Sequence, residues 1–544
     1  MSEHLWWQTG VIYQIYPRSY KDTTGSGIGD LRGVIEKLDY LDETLGINAI
    51  WLSPFYPSPM ADFGYDVSDY CDVDPMFGTL KDFDELINQA HARNIKIIID
   101  WVPNHSSNQH AWFKESCSSR DNPKRDWYVW KDPKISGETR EPPNNWLAVF
   151  GGPAWEWDEY TSQYYLHSFL KEQPDLNWRN PELRRAMFDT IRFWLEKGVD
   201  GFRVDVAHYI MKAPDFHDNP PADPGKVTFH RPHGKYDTQL HLYDKGHPDA
   251  HIVYREFRAI LDQYSVESPR TSIGEIHIYD FKEHATYYGT PENGLEFHMP
   301  FNFSLLQAKW EAPEFRKLID AYEAALPPWA WPNYVLGNHD EGRIATRYGE
   351  QQVRVAAMLL LTLRGTPTIY YGEELGMTDV DIPPEKQLDP FGFRVPGWGR
   401  DRCRTPMQWN SGIHAGFSMP DTQEPWLPIS DDYQAKNVEQ EEKDPTSILN
   451  LYRALLKLRK SIPALRIGSY APIDAPKSCY AYLRQIQDEK VLIALNFSLQ
   501  VQSISLPEPE TAQVLLSTHL DREGETFLGN LELRSNEGLI LKIQ

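Results

Sequence analysis

The feature that most limits what this chain can fold into is an alternation. Short apolar or β-branched runs recur along it, each followed by an amphipathic stretch of helical period, which is the pattern of βα units on a parallel sheet. The runs cover residues 11–16, 49–52, 95–100, 201–205, 271–275, 295–300, 334–337 and 367–371. Eight such strands predict an α/β fold, a closed (β/α)8 TIM barrel whose active site is built at the C-terminal ends of the strands. Local punctuation agrees with this after residue 180, where Asn180 can cap a helix, Pro181 takes its first position and Gly198 ends it. Met187, Ile191, Trp194 and Leu195 then form the face that packs on the barrel.

Two stretches break the alternation. Residues 104–175, rich in Pro, Asn and Trp, are too long for an ordinary βα loop and are expected to form an inserted subdomain after the third strand. Residues 214–250, rich in Pro, Asp and His, are expected to stand over the barrel mouth after the fourth strand. The spacing of His217, His230, His233, His241 and His247 matches no metal-ligand pattern, so a solvated loop is expected there. A helix over 448–461 completes the barrel, and from Tyr470 alternating runs such as 491–496 and 539–543 predict a small antiparallel β domain. The expected domains are therefore a barrel made of residues 1–103 and 176–469, an insertion at 104–175 and a C-terminal β domain at 470–544.

Composition narrows the function. Lys and Arg number 55 against 78 Asp and Glu, a net charge of −23, so a phosphate backbone would be repelled and nucleic acid is not an expected partner. The apolar run 356–363 is far short of the roughly 20 residues that cross a bilayer, and no membrane partner is expected. Cys71, Cys117, Cys403 and Cys479 lie far apart without metal-ligand spacing, and the first residues show no secretory pattern, so a cytoplasmic location is expected. The 18 Trp and 29 Tyr supply planar apolar faces with polar tips that suit sugar rings as well as a core.

In Gly201-Phe202-Arg203-Val204-Asp205-Val206, strand alternation puts Arg203 and Asp205 on one face. A neighbouring guanidinium keeps a carboxylate ionised, as a carboxylate nucleophile requires; the alternative is an Arg–Asp pair that only stitches the barrel. Asp100, Glu275 and Asp340 end other candidate strands, and each alone could cap a turn. Together with Arg203, His105 and His339 they predict a carboxylate-rich pocket without the ligands of a catalytic zinc. Paired carboxylates without a cofactor motif point to glycosidic-bond chemistry. Gly25-Ser26-Gly27-Ile28-Gly29 lacks both the dinucleotide spacing and the phosphate-loop lysine.

The ordered motifs at residues 46–54, 100–105, 173–177, 201–208, 274–275, 338–340 and 365–374 resemble the α-amylase family, glycoside hydrolase family thirteen, in its exo-acting α-glucosidase and oligo-1,6-glucosidase branch. The resemblance covers nearly the whole chain. It implies Asp205 as nucleophile, Glu275 as general acid and then base, and Asp340 as a third carboxylate that holds sugar hydroxyls, with retention of the anomeric configuration. It also implies that His105, Arg203 and His339 contact the glucose in the first subsite, that Asp62 binds its far hydroxyls and Tyr65 its face, and that Arg404 closes the pocket. Glu275 should then have a raised pKa while Arg203 keeps Asp205 ionised.

The implied substrates are short α-glucosides, maltose-type and α-1,6, with α-glucose released from the non-reducing end and transglucosylation when acceptor sugar is abundant. In relatives Val at the position of Val206 goes with tolerance of α-1,6 bonds. Residues 206–209 nevertheless depart from the usual oligo-1,6-glucosidase continuation, which favours a broad α-glucosidase. The alternatives are an oligo-1,6-glucosidase and a glucosyltransferase or isomerase on the same barrel; a non-catalytic scaffold relative would have lost carboxylates that this chain keeps. Residues 22–30 resemble the relatives' cation loop, in which Asp22, Thr24, Ser26, Asp30 and the carbonyl of Ile28 would hold a structural Ca²⁺. Thr24 and Ser26 stand where stronger oxygen donors are usual, and the alternative is a polar turn without metal. No other cofactor is expected.

Overall fold

Runs of Ile, Val and aromatic residues pair into one eight-stranded sheet in the computed structural model, which describes residues 4–223, 234–420, 422–505 and 511–543. Its strands are β1 (Ile12–Ile15), β2 (Ala49–Leu52), β3 (Lys96–Trp101), β4 (Gly201–Val204), β5 (Thr271–Gly274), β6 (Phe301–Asn302), β7 (Asn333–Val335) and β8 (Thr366–Tyr370). They lie in the order β5-β4-β3-β2-β1-β8-β7-β6, and every ladder between them is parallel.

The sixth strand differs from the expected run at 295–300. Gly294–Leu295 instead pairs with Gly289–Thr290 in a hairpin, and the barrel ladder begins at Phe301. Residues 298 and 299 close the barrel against β5 by a mixture of backbone and side chain. The Met299 amide donates to the Ser272 carbonyl at 3.0 Å, the Ser272 amide to His298 Nδ1 at 3.1 Å, and the His298 amide to Ser272 Oγ at 3.2 Å. Side chains occupy ladder positions here, so the apolar pattern does not mark the paired residues. Burial holds the His298 imidazole well below its usual range, which keeps Nδ1 an acceptor.

Strand alternation sorts the rest. Ile12, Trp51, Ile98, Ile273, Phe301 and Val335 fill the barrel interior, while Tyr13, Ile50, Ile97, Ile99, Phe202 and Tyr334 face the helices outside. The helix Pro181–Glu196 shows why a segment of this sequence folds where it does. Asn180 Oδ1 accepts from the amides of Glu182 and Leu183 at 2.9 and 3.2 Å, and Leu183, Met187, Ile191, Trp194 and Leu195 are buried. Gly198, at φ +95°, then turns the chain back toward β4.

Between β3 and β4 the chain makes an antiparallel sheet of Trp130–Lys131, Gln163–Leu166 and Trp155–Asp158 with a core of its own around Trp146, Trp155 and Leu166. In the insertion after β4, His241 is buried, contrary to the expectation of a solvated loop. Its ring stacks on Tyr236 at 3.7 Å and its Nδ1 lies 2.6 Å from Asp244 Oδ2, because a neutral or charged imidazole packs well once both nitrogens have partners. His217 stays exposed beside Asp215 and His247 faces Asp249, whereas His230 and His233 lie outside the described residues. Among the described residues no three His, Cys, Asp or Glu side chains cluster as metal ligands.

After the helix Ile448–Ser461, the strands Ser469–Ile473, Cys479–Ile486, Glu489–Asn496, Gly538–Ile543, Thr511–Ser517 and Thr526–Leu528 form an antiparallel sheet in that spatial order. Ala481, Leu492, Val514 and Leu541 fill its own core. No helix among the described residues is long and apolar enough to cross a membrane.

Candidate active site

The hydrogen bonding of the sheet continues one residue past β4 and β5. The Asp205 amide donates to the Trp101 carbonyl and the Glu275 amide to the Val204 carbonyl, both at 2.9 Å, so the two carboxyl groups emerge side by side. Arg203, two residues before Asp205 and on the same face, reaches across them. Its Nη1 donates to Asp100 Oδ1 at 2.6 Å and to Asp205 Oδ1 at 2.8 Å, and its Nη2 donates to Glu275 Oε2. Arg203 is 1% exposed and Asp100 is fully buried, so one guanidinium offsets three carboxyl groups out of contact with bulk water. Trp51 Nε1 gives Asp100 a further donor at 2.9 Å.

Val206 has φ +34°, a conformation that a β-branched residue adopts only when its surroundings enforce it. The turn aims its amide at Glu275 Oε2, 3.0 Å away. Asp340 arrives from the segment after β7. Its Oδ1 accepts from Arg404 Nη2 at 2.9 Å and Arg400 Nη1 at 3.2 Å, and its Oδ2 lies 3.3 Å from His339 Nε2. Gln14 Nε2 donates to His339 Nδ1 at 2.8 Å, which leaves the Nε2 proton for Tyr65 Oη at 2.7 Å; the Tyr65 and His339 rings are parallel within 3°.

These contacts set the charges. Burial, and then the Glu275 charge, push Asp205 well above the ordinary carboxylate range, more than Arg203 offsets. Against its own burial, Glu275 is held well below that range by Arg203, by His277 and by the Val206 amide. This order reverses the sequence expectation, because Arg203 reaches both groups and Glu275 alone has the two additional donors. Asp340, half-buried, is held well below the usual range by His339, Arg400 and Arg404. Burial lowers the imidazoles of His105 to about 4 and His339 to about 3, so both are neutral near pH 7.

At the far end of the pocket Asp62 Oδ1 meets Arg400 Nη2 at 2.6 Å, and Gln173 Nε2 donates to Asp62 Oδ2 at 3.1 Å while lying 3.0 Å from His105 Nε2. The closing arginine is therefore Arg400, not Arg404. Asp389 decides between them: its carboxylate accepts from the Arg400 amide, Nε and Nη2 at 2.6, 3.0 and 2.7 Å and turns that guanidinium across the pocket. Arg404 lies beneath, where its Nε donates to the His339 carbonyl at 2.7 Å and its Nη2 to Asp340.

Asp62, Tyr65, His105, Asp205, Glu275, Asp340 and Arg400 line one cavity. Sequence reasoning missed part of its wall. Phe150 and Phe169 come from the insertion after β3, Tyr209 and Lys245 from the segment after β4, and His277 from the exit of β5. Only His277 had a local signal, being two residues from Glu275 and so of the same parity.

The loop at residues 22–30 is wired to itself. Asp22 accepts from the amides of Thr24, Gly25 and Gly27 at 2.9, 2.8 and 2.9 Å and from Ser418 Oγ at 2.7 Å. Asp30 accepts from the amides of Thr23 and Gly33, both at 2.8 Å, while Ser26 Oγ donates to the Ile28 carbonyl at 3.2 Å and Thr24 Oγ1 to Ser26 Oγ at 3.0 Å. Oxygens already committed to N–H and O–H donors do not fit a hard-cation ligand set, which needs them turned inward to a common centre. Dialysis against EDTA is accordingly expected to leave the thermal unfolding midpoint within about 1 °C; a midpoint that falls on chelation and returns with Ca²⁺ would refute this.

Residues 14–468 match the model of the alpha-amylase catalytic domain. A probable alpha-glucosidase of Rhizobium meliloti (strain 1021) is 42% identical, with 95% of this chain and 95% of that protein covered. An oligo-1,6-glucosidase of Heyndrickxia coagulans is 40% identical over 96% of this chain and 97% of its own. Among solved structures, an alpha-glucosyl transfer enzyme superposes with a TM-score of 0.92 at 40% identity, over 100% of both chains.

Proposed function

The chain belongs to the alpha-amylase catalytic-domain family and is a glycoside hydrolase, and from that premise we propose that it is a retaining, exo-acting α-glucosidase that frees α-glucose from the non-reducing ends of short α-glucosides. The observation that carries the reading is that one guanidinium binds both carboxyl groups, Arg203 Nη1 donating to Asp205 Oδ1 at 2.8 Å and Nη2 to Glu275 Oε2. Inverting enzymes keep their carboxyls about 6.5–9.5 Å apart to house a water, whereas retaining ones hold them closer. The pairing of both carboxyls on one guanidinium supports direct attack by Asp205.

In this mechanism Asp205 reacts as the carboxylate and Glu275 as the acid, so the one proton of the pair is on Glu275 once substrate is bound. Glu275 gives it to the glycosidic oxygen as that oxygen leaves C1 with the bonding electrons and Asp205 bonds to C1. Water then bonds to C1 as the Asp205 ester breaks, and its proton goes to Glu275; two inversions leave the α-anomer. Asp340, kept ionised, accepts from sugar hydroxyls. Asp62 and Arg400 meet the far hydroxyls, and because they bridge the end of the cavity only a chain end enters. Cys71, Cys117, Cys403 and Cys479 are free thiols, which supports a cytoplasmic location.

A second reading, glucosyl transfer to another sugar, is favoured by the likeness to the alpha-glucosyl transfer enzyme. Proton NMR of the protein with maltose, isomaltose, trehalose and sucrose in separate samples distinguishes the readings. α-Glucose is expected as the first new species, and relative initial rates rank the linkages that Val206 admits. β-Glucose appearing first would overturn retention, and new inter-sugar signals without free glucose would replace hydrolysis by transfer.

A further inference from the structure

We infer that His277 is a positioning residue for the acid–base carboxyl, one that holds Glu275 Oε1 and governs whether that oxygen carries the proton. The inference rests on the reading of Glu275 as the general acid. Glu275 Oε2 is bound by Arg203 Nη2 and by the Val206 amide at 3.0 Å. Those donors can accept nothing in return, so Oε2 remains an acceptor and the acidic proton belongs on Oε1. Oε1 has His277 Nε2 as its partner at 2.7 Å.

An imidazole suits this place for a chemical reason. Its Nε2 can present an N–H to a carboxylate or a lone pair to a carboxyl group, so it holds Oε1 in both states that the reaction visits; an arginine or lysine could hold only one. The location fits as well. The His277 side chain is 36% exposed while that of Glu275 is 6% exposed, so the ring joins the buried carboxyl to water. Phe303, at 5.0 Å between ring centres, fixes the ring from one side, the imidazole of His208 lies 5.8 Å away between ring centres, and Lys245, Tyr279 and Glu341 line the same cavity.

Arg203, the Val206 amide and an N–H at His277 Nε2 all favour the carboxylate, yet cleavage of a sugar–sugar bond requires the acid, so the acid forms only when the ring turns a lone pair to Oε1. A residue that only filled space would affect every substrate alike. His277 should matter for leaving groups that need a proton and matter less for those that do not.

The test compares kcat/KM, which reports the first half-reaction, for maltose and for α-glucosyl fluoride, whose fluoride departs without a proton from a strong general acid. In His277→Gln the maltose-to-fluoride ratio is expected to fall about 10- to 100-fold, part of the 10²- to 10⁴-fold ascribed to general acids. Turnover of the fluoride in the same sample shows that the variant is folded. A ratio within twofold of the parent would overturn the inference, whether both activities dropped together or neither did. Glu275→Gln, measured alongside, should lower the ratio further. If Glu275→Gln leaves the ratio unchanged, the assignment of Glu275 itself fails, which is a different outcome from a failure confined to His277.

Discussion

Replacing Asp205 by Ala is expected to lower kcat on maltose by about 10⁴- to 10⁶-fold, the scale on which loss of a covalent nucleophile is felt. Stability should move the other way or not at all. Asp205 is one of three carboxyl groups around a single guanidinium, and burial together with the Glu275 charge disfavours its ionised form. Its removal relieves that crowding and leaves Arg203 fully paired with Asp100 and Glu275. Urea unfolding should therefore give a midpoint equal to or above that of the parent. A variant that keeps a tenth or more of the parent's turnover would remove Asp205 from the nucleophile's place, and one that unfolds early would recast it as a structural residue.

Arg203→Met is expected to have the largest effect on stability. It strands Asp100, Asp205 and Glu275 in a buried site, and breaking such a network from one side costs about 3–5 kcal/mol. The pH dependence follows from the direction of the Glu275 shift. In the parent its folded pKa lies below the unfolded value, so its contribution is present above the unfolded pKa and is lost as pH falls through the folded one. In the variant the stranded carboxylates are penalised at neutral pH and relieved as they take up protons. The gap in unfolding free energy between parent and variant should be widest near pH 7 and should narrow steadily toward pH 4. An equal gap at both pH values would mean that lost packing, such as the guanidinium over Trp51 at 5.0 Å, outweighs charge.

The barrel was legible because its strands are written in residue types that serve no other purpose. Ile97-Ile98-Ile99 can only be a strand buried on both faces, and Arg203 with Asp205 announces a polar end by parity alone. β6 was not legible, since Ser272 and His298 replace ladder bonds with side-chain bonds and the paired stretch is two residues long. The site divides the same way. Asp205, Glu275, Asp340, Tyr65, His105 and Asp62 meet in one cavity, because each follows a strand whose direction the pattern gave. Arg400 and Arg404 stand four residues apart in one irregular segment, and the choice between them belongs to Asp389, a tertiary partner with no periodic relation to either. Phe150 and Phe169 were hidden among many aromatics whose commoner fate is a core.

A cavity bridged at its end by Asp62 and Arg400 has one door. On the proposed reading, the glucose sits behind its leaving partner and can depart only after that partner has gone, so release follows a fixed sequence. A long chain cannot be threaded through for repeated cuts; each event ends in complete dissociation and a fresh arrival. Whatever waits at the door while the glucose is still joined to Asp205 is the next to reach it. The balance between splitting a sugar and lengthening one then depends on the composition of that queue, and a crowded sugar solution shifts it without any change in the protein.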